Sequence, residues 1–342
     1  MKVLITGSEG YIGSSLCFYL SGLGYEVVGL DTIYYKNNLG KLHKHKIINK
    51  DIRDIKKNDI KGFDCIVHLA ALSNDPTGDL NPKLTQNINF RATIKLAKLA
   101  KKNGIKRFIF SSSCSIYGIG KEAIVSENSP VNPLTAYAKS KINTENKLKE
   151  LVDKNFFVGL LRNSTVYGYA PMFRDDLVLN NFTTCAYSTK EIRIMSDGTP
   201  WRPLIDIRDL CNIFELFLTT KKQSINGKVI NIGFDENNLM VKDLANIVKK
   251  CIPKCQVVYT GEHSTDSRSY KVSFKLFKSF FPEYKQIWHP IKSVKNLIVR
   301  LKEFNFKREN FLNKKYQRII VINKLLKKKL INNDLEWVLI SN

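Results

Sequence analysis

The sequence predicts an α/β fold, a doubly wound parallel sheet with a smaller C-terminal α/β domain, and three observations carry that expectation. Short apolar runs alternate with segments of helical spacing over the first half of the chain. The opening run Val3-Leu4-Ile5 passes through Thr6 into glycines at 7, 10 and 13. Later strand-like runs end in small or hydroxyl residues, which puts a ligand at the carboxyl edge of the sheet.

Taken in order, residues 1–13 read as strand, tight turn and helix start. Gly7 makes the turn, Gly10 lets the backbone approach a diphosphate, and Gly13 lets the helix pack close to the sheet. The free N–H groups at that start, around Tyr11 and Ile12, suit an anion. A second apolar strand, 26–30, ends at Asp31, whose carboxylate can accept from the hydroxyls of an adenine ribose and would repel a 2′-phosphate. This is a Rossmann-type arrangement that favours NAD over NADP.

A polar and aromatic stretch, 34–50, leads to Asp51-Ile52. The strand 65–69 then runs into Ala70-Ala71, small enough for a cofactor to lie against. Helical spacing over 84–102, carried by Ile88, Ala92, Leu96 and Leu99, stops at Gly104. Strand 107–110 delivers the hydroxyl run Ser111-Ser112-Ser113-Cys114-Ser115. After Pro130 and Pro133, Thr135 opens a helix that continues through Leu148, and strand 157–161 follows.

From Tyr169 to Ser196 the pattern loosens into short elements, Asp209 is expected to cap a helix over 210–217, and 228–233 returns to strand character. The expected division is a cofactor-binding domain over 1–168, joined by strand 228–234, and a mainly substrate-binding domain over 169–290. A basic helical tail takes up 291–342, in which Leu297, Val299, Phe304 and Phe306 supply apolar contacts for packing.

Of 342 residues, 55 are Lys or Arg and 31 Asp or Glu, a formal net charge of +24. The lysines are spread over the whole length among isoleucines and asparagines, the pattern of a solvated surface rather than a nucleic-acid module. No apolar run is long enough to cross a bilayer and the N-terminus reads as a strand, so a cytoplasmic protein away from membranes is expected. The seven cysteines have no metal-ligand spacing and read as free thiols.

Tyr137 and Lys141 lie four apart on one helix and share a face. A phenol ionises near pH ~10, and a neighbouring ammonium together with a positive nicotinamide is expected to lower that value enough for Tyr137 to take a hydroxyl proton. Lys141 is also placed to hydrogen-bond the nicotinamide ribose. Ser113, at a strand end upstream, could hold the reacting hydroxyl.

These residues together resemble the extended short-chain dehydrogenase/reductases, the family of NAD-dependent nucleotide-sugar epimerases, dehydratases and reductases, of the UDP-glucose 4-epimerase kind. The likeness runs through TGSEGYIG at 6–13, Asp31, Asp51-Ile52, HLAA at 68–71, Asn89 with Thr93, SSSCSIYG at 111–118 and YAKSK at 137–141. It implies a catalytic trio of Ser113, Tyr137 and Lys141. It also implies that the adenine lies beside Asp51-Ile52, that the cofactor lies against Leu69, Ala70 and Ala71, and that Asn89 belongs to the cofactor set. A homodimer, built through a helix bundle that includes the helix of Tyr137, is likewise implied.

In the substrate half the resemblance assigns the diphosphate of a nucleotide sugar to Arg202 and Arg268. Ser73, Asn74, Ser113 and Thr165 complete the candidate substrate set, although Thr165 lies in Arg162-Asn163-Ser164-Thr165-Val166-Tyr167-Gly168, where relatives carry an asparagine. The loop 73–79 either sets sugar specificity or is a turn held by Asp75-Pro76 and Gly78.

Relatives that dehydrate carry acidic residues just after the catalytic serine, and here those positions are Cys114 and Ser115. Relatives with a cysteine acid place it directly before the Ile-Tyr pair, where this chain has Ser115. A shift by one residue at a strand end turns Cys114 to the opposite face, as a packing thiol. The expectation is therefore a 4-epimerase that oxidises sugar carbon 4 transiently, with a 4-dehydrogenase or 4-ketoreductase as the alternatives. From another class, an RNA-binding protein on the same scaffold would account for the charge, but no basic module with stacked aromatics is visible.

Overall fold

The computed structural model describes residues 1–36, 39–40, 45–120, 122–260 and 268–338. Its strands are β1 (Lys2–Thr6), β2 (Glu26–Asp31), β3 (Lys46–Asn49), β4 (Cys65–His68), β5 (Arg107–Ser113) and β6 (Phe157–Asn163). They continue with β7 (Thr165–Tyr167), β8 (Glu191–Ile194), β9 (Trp201–Asp206), β10 (Val229–Ile232), β11 (Asn238–Met240) and β12 (Gln256–Tyr259).

Seven of these form one parallel sheet in the order β10-β6-β5-β4-β1-β2-β3. Winding reverses between β1 and β4, which opens a crevice at their carboxyl ends. Both faces are covered, so the strands need near-continuous apolar runs. In β1, Val3 and Ile5 join the core of helices Tyr11–Gly22 and Ile207–Thr219, while Leu4 joins that of helix Thr93–Lys102. β10 pairs with β6 in the register Val229 with Leu160, so a late segment completes the sheet.

The rest of the chain builds a three-stranded sheet, β11-β9-β7, and the parallel pair β12-β8. Helices Val178–Thr189, Val241–Cys251 and Pro290–Glu303 share a separate core with them, through Phe182, Leu244 and Val294. The first of these helices lies where the sequence pattern loosens, because its buried face mixes threonine and asparagine with Leu179, Phe182 and Ala186.

Three expectations need correction. The helical spacing over 84–102 belongs to a short helix Pro82–Thr85, a π-helical stretch Gln86–Ala92 and helix Thr93–Lys102. The Asn89 carbonyl accepts from the hydroxyls of both Thr93 (2.7 Å) and Thr144 (3.2 Å), which satisfies a backbone group that the wider turn frees. The helix placed at 210–217 is Ile207–Thr219, and its cap is Asp206, which accepts from Arg208 N at 2.8 Å. Asp209 instead accepts from the N–H groups of Ile287 and Trp288, at 3.1 and 2.9 Å.

The tail is helical over Pro290–Glu303, Arg308–Leu312 and Arg318–Lys327, and residues 339–342 lie outside the described residues. Leu297 and Phe306 are buried, but Val299 is exposed. Ile322, Ile331 and Leu335 enter the core that holds Leu4 and Val28, so the tail reaches back to the seven-stranded sheet. No helix among the described residues is long and apolar enough to cross a membrane. Six of the seven free thiols are buried.

Candidate active site

One crevice of about 940 Å³ runs over the carboxyl ends of the sheet strands. At one end lies the glycine loop. Gly7 has φ +74°, and a Cβ there would fall 2.8 Å from Ala70 N. A Cβ on Gly13 would fall 2.0 Å from the Gly7 carbonyl oxygen. Neither position has room for a side chain, and the loop is pressed between β4 and the first helix. That helix starts at Gly10 with no side-chain cap, so its first N–H groups remain for an anion.

Beside the loop, Asp31 accepts from Glu9 N (3.0 Å) and Ile33 N (2.7 Å). Burial nevertheless pushes its carboxyl up to about 6. Tyr11, Ile12, Ile52, Leu69, Ala70 and Ala71 line the same end, as does Asp51, whose carboxylate is paired with Arg53 at 2.7 Å. An uncapped helix start, a held acidic acceptor and small apolar walls fit a dinucleotide. Asn89 is placed differently: buried below the crevice, it accepts from Leu72 N (2.8 Å) and donates to Ser140 Oγ (3.1 Å). It braces the loop after β4 rather than lining the crevice.

At the centre, β5 ends at Ser113 and helix Ala136–Lys149 presents Tyr137 and Lys141. The helix is capped by Thr135, which accepts from Ala138 N at 3.1 Å. Ser113 lines the crevice beside Tyr137, and its Oγ accepts from Ser115 N at 3.1 Å. Lys141 is buried, donates to the Ser111 carbonyl at 2.7 Å and lies 5.5 Å from the Tyr137 ring centroid.

The expected lowering of the phenol is not what this geometry produces. Burial, with Asp75 adding to it, pushes Tyr137 up to about 12, and the nearby Ser113 hydroxyl only partly opposes this. Lys141 is itself pushed down to about 7 by burial, against the nearby Glu145 carboxylate. A group half neutral at pH 7 holds a neighbouring phenolate weakly. Beneath it, Glu145 forms a buried pair with Arg162 at 2.8 Å and accepts from Ser112 Oγ at 2.5 Å.

Cys114 faces away, donating from Sγ to the Arg162 carbonyl at 3.1 Å, and burial pushes its thiol up. Ser115 faces the crevice, and its buried hydroxyl has no protein partner.

The far end joins the two halves of the chain. Ser73, Asn74, Thr165, Arg202 and Arg268 all line it. Asn74 donates to Asp176 at 3.0 Å, and Arg268 pairs with Asp75 at 2.6 Å. Arg202 donates to the Trp201 carbonyl at 2.9 Å and to the Arg268 carbonyl. The loop 73–79 is thus tied across the crevice, and its Asp75–Gly78 turn is capped by Asn74, which accepts from Thr77 N at 3.1 Å. Sequence reasoning missed Tyr34, Tyr35 and Gln317 to Ile319, which also line the crevice. A second Arg-Asp pair, Arg174 with Asp176 at 2.8 Å, lines it too, within the segment 172–187 whose sequence offers a wall for a sugar pocket.

Comparison with known proteins follows the same lines. A family model described as "NAD dependent epimerase/dehydratase family" matches residues 3–233. UDP-glucose 4-epimerase 1 of Oryza sativa subsp. japonica is 30% identical over 307 residues, covering 78% of this chain and 84% of that one. The dTDP-D-glucose 4,6-dehydratase of Dictyostelium discoideum is 29% identical over 278 residues, covering 72% and 62%. Among solved structures, the UDP-glucuronic acid 4-epimerase of Bacillus cereus, in complex with UDP-glucuronic acid and NAD, superposes with a TM-score of 0.74. That structure is 25% identical and covers 89% of this chain and 99% of its own.

Proposed function

The chain belongs to the NAD dependent epimerase/dehydratase family, and we propose that within it the protein is a nucleotide-sugar 4-epimerase working by transient oxidation at sugar carbon 4. The observation that carries the reading is the placement of Ser113 and Tyr137 beside the buried Lys141, at the centre of a crevice whose two ends suit two different ligands.

The glycine loop, Asp31 and the walls Ile12, Leu69 and Ala70 would hold NAD, with Asp31 favouring it over a 2′-phosphorylated cofactor. NAD supplies a hydride acceptor and, when oxidised, a positively charged ring. Ser113 fixes the hydroxyl on carbon 4 and Tyr137 takes its proton as the hydride leaves that carbon, giving a 4-keto sugar. Because Tyr137 sits at about 12 in this geometry, it needs added positive charge close by before it can act as a base near neutrality. Tyr137 would return the proton to the carbon 4 oxygen as the hydride comes back, from a reduced cofactor held there, to the opposite face of the turned sugar, inverting carbon 4. Arg202 and Arg268 would anchor the diphosphate while the sugar turns.

Dehydration is disfavoured because neither Cys114, turned to the Arg162 carbonyl, nor Ser115 offers a carboxylate to expel a hydroxyl. The test is to incubate the protein and NAD with a panel of nucleotide sugars, following NADH absorbance and chromatography together. A new stereoisomer without net NADH is expected. Accumulating NADH with a keto product would make it a 4-dehydrogenase and overturn the reading.

A further inference from the structure

The C-terminal tail, which lies beyond the part of the chain that the family model matches, meets the crevice at residues 317–319 and a side cavity bordering it at a second point. At the first, Arg318 opens helix Arg318–Lys327 and is only 2% exposed. Its Nη2 donates to the Met172 carbonyl at 3.0 Å, and Met172 N donates to Ser14 Oγ at 3.3 Å, on the helix that follows the glycine loop. The guanidinium lies 4.0 Å from the Tyr35 ring centroid.

The carboxylates nearby are committed elsewhere. Asp176 and Asp31 lie close enough to favour the Arg318 charge, but Asp176 is paired with Arg174 and accepts from Asn74, and Asp31 accepts from two backbone N–H groups. Among the described residues Arg318 makes no ion pair. Burial pushes it down to about 10, and Arg174 adds to the local positive charge. A buried cation in this position is stable when an anion meets it. The uncapped start of helix Tyr11–Gly22 lies close by and attracts an anion for its own reasons. Two positive groups facing one stretch of crevice match a diphosphate, which suits the planar donor fork of arginine.

At the second point, Trp337 Nε1 donates to the Thr32 carbonyl at 2.6 Å, and the Tyr34 hydroxyl donates to the Leu335 carbonyl. The rings of Tyr34 and Trp337 lie 5.9 Å apart. They border a side cavity of about 590 Å³ that shares Thr32, Tyr34 and Asp51 with the main crevice, at the Asp31 end where the ribose of adenosine would lie.

We infer that the C-terminal tail completes the dinucleotide site, with Arg318 binding the diphosphate of the cofactor and Trp337 walling its adenosine end. The inference rests on the crevice being the NAD site.

The test is calorimetric titration of the full chain with NAD, ADP and adenosine. Arg318→Met is expected to weaken NAD and ADP by about ten- to a hundredfold and to leave adenosine within about twofold. Arg318→Lys, which keeps the charge and guards against a variant that fails to fold, is expected to fall between. Trp337→Ala is expected to weaken all three ligands alike. An Arg318→Met protein that binds ADP like the wild type overturns the diphosphate role, and so does one that loses adenosine as much as ADP, the pattern of a merely structural residue. Unchanged adenosine binding in Trp337→Ala overturns the wall. A wild-type protein that binds none of the three overturns the NAD reading of the crevice, and the inference with it.

Discussion

Asp175 is the sharpest place to test the energetics of the joint between the two halves. Its side chain is fully buried, and among the described residues neither carboxylate oxygen has a hydrogen-bond partner. Burial, reinforced by the Asp176 charge, pushes it up to about 7 from an ordinary 3.8. The folded protein therefore holds a proton that the unfolded chain has released, and stability falls as pH rises from about 4 to about 7, then levels off. A shift of roughly three units is worth at most about 4 kcal/mol at pH 8, but only about 2 kcal/mol at pH 5, where the unfolded chain has gained only part of that advantage. Asp175→Asn keeps the shape and removes the charge. Urea unfolding should find the variant more stable than the wild type, by about 3 kcal/mol more at pH 8 than at pH 5. An equal gain at both pH values, or a loss at pH 8, would refute the assignment of an unpaired buried carboxyl.

Other predictions concern the crevice. Tyr137→Phe should lower kcat by about 10²- to 10⁴-fold or more while leaving the NAD dissociation constant nearly unchanged; normal turnover would remove Tyr137 from the mechanism. Asp31 must be ionised to accept from a ribose, and burial pushes it up to about 6, so NAD affinity should weaken as pH falls through 6 and stay flat above about 7. Calorimetry across that range checks this, and Asp31→Asn should abolish the dependence. Arg268→Ala should raise KM for the nucleotide sugar by about tenfold or more without changing NAD affinity, whereas an effect on NAD alone would return Arg268 to a role as the partner of Asp75.

What the sequence made legible is what depends on near neighbours. Gly7, Gly13 and Asp31 belong to one strand-helix-strand unit whose backbone leaves no space for other side chains at the glycines. Tyr137 and Lys141 share a face because a helix turns once in about four residues. The misread features depend on segments that arrive from far along the chain. Asp206 and not the expected Asp209 caps its helix, and the difference is made by Trp288, whose N–H takes Asp209 from 79 residues away. The direction of the Tyr137 shift is set by burial together with Asp75, on a loop held down by Arg268. The tail is the extreme case, since its bonds to the cofactor half join residues 301 and 305 apart, Tyr34 with Leu335 and Thr32 with Trp337. Spacing cannot encode such pairings. Nor does an arginine among 55 basic residues carry a mark of burial in its own identity. The same residue type that keeps Arg193 in water is at Arg318 enclosed beside a helix start, and only the path of the tail turns an ordinary surface charge into a group that calls for an anion.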